Sequence, residues 1–187
     1  MHTIAIGIIP SFSDSFLPTN RGDGFEGLDL NSGWNCAYTA ASGQGRWGFI
    51  IRDEGGNVIH AAAGKLARLR DALQEEMIAC SEGARAAADR GICNVIFETD
   101  SLILKQAMED DSYWLAPAGG AIYELKQLIQ GSFSSFDFVF APRSCNKVAH
   151  ALAALGCSCS HESVLSWDGV PSCTADAVAS DCAEPLS

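Results

Sequence analysis

Hydrophobic and polar positions alternate or recur in a regular pattern from Trp34 to Gly156, and the pattern predicts nine elements. Short apolar runs between Gly-rich turns predict an antiparallel meander of three strands. An Ala-rich run with helical periodicity follows, with Asp71 placed to cap it and Gly91 to end it. The predicted strands are Asn35–Ala40, Trp47–Arg52, Val58–Gly64, Cys93–Glu98 and Phe133–Phe140, and the predicted helices are Ala72–Arg90, Leu102–Met108, Ala118–Gln130 and Asn146–Leu155.

The order of these elements, β-β-β-α-β-α-α-β-α, predicts one α/β domain with a five-stranded mixed sheet flanked by helices. Residues 1–33 are rich in Ser, Pro, Gly and Asn without a sustained period, and residues 157–187 have a similar composition. We therefore expect an irregular or disordered leader over 1–33, a folded domain over 34–156 and an irregular tail over 157–187.

Composition restricts the location and the partners of the chain. The apolar run Ile4–Ile9 is too short for a membrane span and too poor in basic residues for a signal peptide. We expect a soluble, intracellular monomer with reduced thiols that does not enter a membrane. The formal net charge of −11, with only 12 basic residues, argues against tight, salt-driven binding to a polyanion.

Two carboxylates stand out by their positions in the predicted elements. Glu76 shares a helix face with the small residues Ala72, Ala79 and Gly83, and Asp100 follows the predicted fourth strand. A carboxylate on a packing face is costly unless it is paired or bound to a metal, so the two acids suggest a divalent-metal site.

Alternatives remain for these acids and their neighbours. Glu76 could be an ordinary surface residue, and either Asp100 or Ser101 could cap the following helix. Glu75 is expected on the solvated face of its helix and Glu98 on the exposed side of its strand. Cys157 and Cys159, with His161, could be half of a zinc site, but no second ligand pair has suitable spacing.

Four motifs in this order resemble the type 1 ribonuclease H fold, and most closely the plant reverse-transcriptase-like ribonuclease H domains. The resemblance covers about residues 34–156, with a weaker similarity around Leu165–Trp167. The motifs are Trp47–Asp53 followed by Gly55-Gly56, Asp71–Glu76, Glu98–Ser101 and Pro142–Ala153.

The resemblance implies metal-dependent hydrolysis of the RNA strand in an RNA–DNA hybrid. In the family, four carboxylates hold two Mg²⁺ or Mn²⁺ ions. Glu76 and Asp100 match the second and third acids as catalytic and metal-binding residues, and His150 stands at the fourth position. The residues expected to contact nucleic acid are Ser101, Arg143, Asn146 and Lys147.

The first acid of the family pattern is missing from this sequence. The family's first strand has an Asn-x-Asp pattern, whereas Asn35-Cys36 runs directly into Ala37-Tyr38 here. We therefore expect impaired cleavage and weakened metal binding. Three hypotheses stay open: a hybrid ribonuclease by descent, a catalytically dead module that binds nucleic acid or a protein, and a degenerate product without a specific role.

Overall fold

Six strands form one mixed sheet in the order β5-β4-β1-β2-β3-β6. The computed structural model describes residues 3–10, 45–66, 68–142, 152 and 164–169. The elements are β1 Ile4–Pro10, β2 Gly45–Arg52, β3 Val58–Leu66, α1 Ala72–Asp89, β4 Asn94–Thr99, α2 Leu102–Glu109, a 3-10 helix Asp111–Leu115, α3 Gly119–Ser132, β5 Ser135–Phe140 and β6 Val164–Trp167.

The first strand of the sheet, β1, comes from a segment that the sequence pattern assigned to an irregular leader. It lies between β2, with which it is antiparallel, and β4, with which it is parallel. Ile6 and Ile8 are fully buried and Ile4 nearly so, because alternate residues of a strand face the same side of the sheet. The expectation of an irregular segment over 1–33 is therefore wrong for residues 4–10. The predicted first strand, Asn35–Ala40, lies outside the described residues.

The predicted strands and helices between residues 45 and 140 are confirmed within a few residues at each end. Asp71 caps α1 by accepting a hydrogen bond from the Gln74 amide at 2.8 Å. Gly91 follows α1 with φ of 71°, a left-handed conformation that glycine adopts without strain. Of the predicted helix Asn146–Leu155, only Leu152 is described, and it is helical and buried.

A sixth strand, β6, lies in the segment that was expected to be an irregular tail over 157–187. It pairs antiparallel with β3, so the described sheet has six strands and not five. Beside it, Asp168 accepts a hydrogen bond from Arg90 and contacts His60 Nδ1 at 3.1 Å. These contacts, with His60 first, hold the pKa of Asp168 below its usual value. Charged and polar contacts thus join β6 to β3 and to the end of α1.

The helix α1 packs closely against β1 and β2. Ala79 is fully buried, and a Cβ added to Gly83 would lie 3.0 Å from Ile6 Cγ2 and 3.4 Å from Phe49 Cγ. The small residues on this face of α1 allow the helix to approach the sheet, as the sequence pattern predicts. Among the described residues, no helix has both the length and the apolar character needed to cross a membrane.

We expect Gly83→Leu to destabilise the protein by about 1–3 kcal/mol, because the added side chain would overpack the contact between α1 and the sheet. Thermal unfolding followed by circular dichroism measures the effect. Gly120→Leu is the matched control, since a Cβ at Gly120 in α3 meets nothing within 4 Å. Equal melting temperatures for the two variants would contradict this packing.

Candidate functional site

The ends of several elements meet at one end of the sheet, which we call the Asp100 end. The parallel strands β1 and β4 finish there, and β2, antiparallel to β1, begins there. Because α1 follows β3 and α2 follows β4, both helices begin at the same end. The carboxyl ends of neighbouring parallel strands are where open α/β sheets place their ligand sites.

Glu76 lies in the second turn of α1 and is buried, with only 8% of its surface exposed. Its charge reaches the next turn of the helix, where it contributes to a raised pKa of the Cys80 thiol, although burial of that thiol is the larger cause. Cys80, one turn further along α1, is fully buried, and the burial of both residues places Glu76 on the inner side of the helix. The surface alternative for Glu76 does not hold.

Asp100 follows the last residue of β4 and is partly buried. The residue that caps α2 is Ser101, whose Oγ accepts a hydrogen bond from the Leu104 amide at 3.1 Å. The Ser101 amide in turn donates to Thr99 Oγ1. Ser101 therefore supplies the cap, and capping α2 does not engage the Asp100 carboxylate.

Glu75 is fully buried, although the sequence pattern placed it on the solvated face of α1. Its Oε1 accepts a hydrogen bond from the Arg46 amide at 2.6 Å, at the start of β2. A Cβ added to Gly45 would lie 2.7 Å from the same oxygen, so Gly45 makes room for this carboxylate. The expectation fails because this part of α1 also contacts the start of β2, where Glu75 finds its hydrogen-bond donor. No pattern near Glu75 in the sequence indicates this partner.

Glu98 is also buried, where the sequence pattern predicted an exposed side chain. It accepts a hydrogen bond from Arg52 at 2.9 Å across β1, and both side chains are about nine-tenths buried. The β1 residues in register with this pair are small: Ala5 is opposite Arg52 and Gly7 is opposite Glu98. The ion pair needs this space, and a buried charge without its partner would be strongly destabilising.

The register of β1 places no acid beside Asp100. Ile8 is in register with Thr99, so the next position, Ile9, corresponds to Asp100. The sequence of β1 contains neither Asp nor Glu. Among the described residues, no group of three or more His, Cys, Asp or Glu side chains could hold a metal ion.

The remaining predicted site residues lie outside the part of the chain that the structure describes. They follow β5 in the sequence, and their positions relative to Glu76 and Asp100 stay predictions. These residues are Arg143, Asn146, Lys147 and His150.

The described donor set fits the family's metal requirement only in part. Carboxylate oxygens are suitable ligands for Mg²⁺ or Mn²⁺, and Glu76 and Asp100 both lie at the Asp100 end. Two acids are too few to hold the two ions that clamp the attacking and leaving oxygens. The described residues therefore do not fit a two-ion centre.

Comparison with known proteins agrees with this fold. A family model described as reverse transcriptase-like matches residues 33–156. The structure of ribonuclease H1 from the archaeon Halobacterium salinarum superposes with a TM-score of 0.62 at 17% identity, covering 83% of this chain and 98% of that one. The N-terminal ribonuclease H domain of a Mycobacterium tuberculosis protein has a TM-score of 0.60 at 16% identity, covering 84% of this chain and 95% of that one.

A third solved structure carries a nucleic acid. The compost-derived LC11 ribonuclease H1, solved in complex with an RNA/DNA hybrid, has a TM-score of 0.59 at 17% identity, covering 80% of this chain and 92% of that one. Among curated proteins, no sequence match is found. At these identities the structural likeness establishes a ribonuclease H-like mixed α/β fold.

Proposed function

Since the chain belongs to the reverse transcriptase-like family, we propose that it is an RNA–DNA hybrid ribonuclease domain with strongly impaired cleavage. The hybrid would bind at the Asp100 end of the sheet. The observation that carries the proposal is the composition of β1, which lies beside β4 and has no carboxylate. The resemblance of the Trp47–Asp53 and Pro142–Ala153 motifs supports placing it with the plant-type members.

Divalent metal ions would supply the activated water and the stabilisation of the leaving oxygen in an intact site. Of the ligand positions, Glu76 and Asp100 are retained, and these two acids would hold one Mg²⁺ or Mn²⁺ weakly. Without an acid on β1, no third ligand joins these two among the described residues. Cleavage is expected to be close to the uncatalysed background for this reason.

Binding of the hybrid is expected to be weak and sensitive to salt. The net charge of −11 repels phosphates, and the basic residues Arg143 and Lys147 would attract them locally. Asn146 and the Ser101 hydroxyl would add polar contacts to the backbone. The 2′-hydroxyl of the RNA strand is the group that distinguishes a hybrid from DNA.

The test is cleavage of a labelled RNA–DNA hybrid in Mg²⁺ and, separately, in Mn²⁺. We expect a rate near background that does not change in Glu76→Gln or Asp100→Asn. Robust cleavage that Glu76→Gln abolishes would contradict the proposal, because it would require another residue to complete the metal site.

A second candidate function is a catalytically inactive module that binds nucleic acid or a protein. The composition of β1 favours it equally, since loss of an acid removes catalysis without removing the groove. Hybrid binding at low salt, measured by fluorescence anisotropy, tests the nucleic-acid part of this candidate. Binding that Lys147→Ala reduces would support a module for nucleic acid, and no binding of hybrid or duplex would exclude it.

A further inference from the structure

Large apolar side chains are exposed where α2 connects to α3. Trp114 and Leu115 of the 3-10 helix are 63% and 91% exposed, and Tyr123 of α3 is 44% exposed. We call these three residues the aromatic platform. Isolated exposed apolar residues are common, but grouped aromatic residues on a surface are typical of binding sites.

The aromatic platform is held in place from both neighbouring helices. Tyr113 donates a hydrogen bond from its hydroxyl to Gln106 Oε1 of α2 at 3.1 Å. On the other side, Lys126 of α3 donates to Asp111 Oδ1 at 2.8 Å and to the Asp110 carbonyl at 3.1 Å. The 3-10 helix is therefore fixed to α2 and to α3.

The two rings and the local backbone are also closely fitted. The Trp114 and Tyr123 rings meet edge to face, with centroids 5.1 Å apart. A Cβ added to Gly119 would lie 2.1 Å from the Trp114 carbonyl oxygen, so only glycine permits this approach. A platform fixed before binding loses little conformational entropy when a partner arrives, which favours affinity.

The charges around the aromatic platform are predominantly negative. Glu109, Asp110, Asp111 and Glu124 lie in the segments that carry it. The two lysines of the same segments are engaged in ion pairs, Lys105 with Glu109 and Lys126 with Asp111. A cavity of about 480 Å³ adjoins the 3-10 helix, and its lining residues are Gln106, Glu109, Asp110, Ser112, Tyr113 and Ala116.

We propose that the aromatic platform docks a segment of a protein partner that carries Arg or Lys next to an apolar side chain. A cation is attracted to the face of a Trp or Tyr ring, and the acidic surroundings add to that attraction. The cavity beside Tyr113 would take the basic side chain, and Leu115 would contact the apolar one. The three platform residues are not among those assigned to the hybrid site, so the proposal does not depend on the ribonuclease assignment.

Two other candidate occupants, a nucleic acid and an undescribed segment of this chain, are disfavoured by their charge. A nucleic acid would meet four carboxylates and no unpaired lysine of these segments. Two long segments of the chain outside the description are themselves acidic. Residues 11–44 contain one Arg and four acids, and residues 170–187 contain three acids and no Lys or Arg. Residues 143–163, of which only Leu152 is described, contain two basic residues and one acid and so have a net charge of only about +1. Charge complementarity therefore favours a more basic partner from outside the chain.

The test uses a fluorescein-labelled decapeptide of alternating Arg and Leu, titrated with the full chain and followed by anisotropy. We expect binding that Trp114→Ala with Leu115→Ser weakens at least about tenfold. Val164→Ser is the matched control, because Val164 is 58% exposed on β6, the strand at the far side of the sheet from β5. Thermal melts of all variants should agree, since the substituted side chains are exposed.

Several results would overturn the proposal. A dissociation constant weaker than about 1 mM for the Arg–Leu peptide would do so. Equal binding of a Glu–Leu decapeptide would also overturn it. The same holds for binding that the double substitution does not change, which is expected if the chain covers its own platform. Oligo-dT that competes for the platform would indicate a nucleic acid, and a dimer that the double substitution dissociates would indicate a second copy.

Discussion

A chain that lacks residues 1–10 is expected not to fold. β1 lies between β2 and β4, so its removal divides the sheet into two parts. Ile4, Ile6 and Ile8 are buried, and each contributes about 1.5–3 kcal/mol by leaving water. Their combined loss is comparable to the whole stability of a typical domain, about 5–15 kcal/mol.

Circular dichroism and thermal unfolding of the chain that begins at Ser11 measure this effect. Removal of Met1 and His2 alone is the control, and it should leave the melting transition in place. Cooperative unfolding of the chain without residues 1–10, at the temperature of the full chain, would contradict the assignment. That result would mean that another segment, such as 33–40, fills the position between β2 and β4.

Ile9→Asp is expected to raise metal-dependent cleavage of an RNA–DNA hybrid by on the order of 100-fold. The substitution places a carboxylate at the register position that corresponds to Asp100, where the described site has none. A third acid would give the second ion a ligand and so help to stabilise both the attacking and the leaving oxygen. The increase stays below that of an intact site if His150 occupies the fourth position.

The matched control is Ile9→Asn, which has the same shape as Asp without its charge and should give no increase. A second comparison inserts Asp-Ala between Cys36 and Ala37, which restores the family's first-strand pattern. An increase from the insertion but none from Ile9→Asp would show that residues 33–40, and not residues 4–10, supply the first strand. A thermal melt of each variant checks that it is folded.

Most of the elements between residues 45 and 140 could be predicted, because local signals and tertiary packing agree there. Asp71 and Gly91 mark the ends of α1, and both fulfil the predicted roles. Short apolar runs mark β2 to β4, and alternating Phe residues mark β5. The position of Glu76 on a face of small residues predicted its burial, since only small side chains let α1 approach the sheet.

The strand at residues 4–10 was not predicted, because two segments compete in the sequence for the place beside β2. Asn35–Ala40 resembles the family pattern, whereas Ile4–Ile9 has only its apolar character, which also suits a buried strand. Periodicity cannot decide between two segments for one place in a sheet, because pairing depends on contacts that are distant in sequence. β6 was missed for a related reason: it is a short strand at the edge of the sheet and mostly exposed.

The two misplaced glutamates show the limit of predicting burial from a single element. Helical periodicity places Glu75 and Glu76 on different faces of α1, yet both are buried. The partner of Glu75 is the Arg46 amide, which donates a hydrogen bond to it. Glu98 follows the strand alternation, but its face of the sheet holds Arg52. In each case the partner lies at least 29 residues away in sequence, and no local pattern indicates it.

The central claim is that the first strand comes from residues 4–10 and therefore brings no acid to the site. Its most direct test is hydrogen exchange of the intact chain, measured by mass spectrometry of peptic peptides. Amides of a central strand are protected until much of the sheet opens. We expect the peptide that covers residues 3–10 to exchange as slowly as the one that covers β4. Rapid exchange of residues 3–10, together with slow exchange of residues 33–40, would contradict the assignment and with it the composition of the metal site.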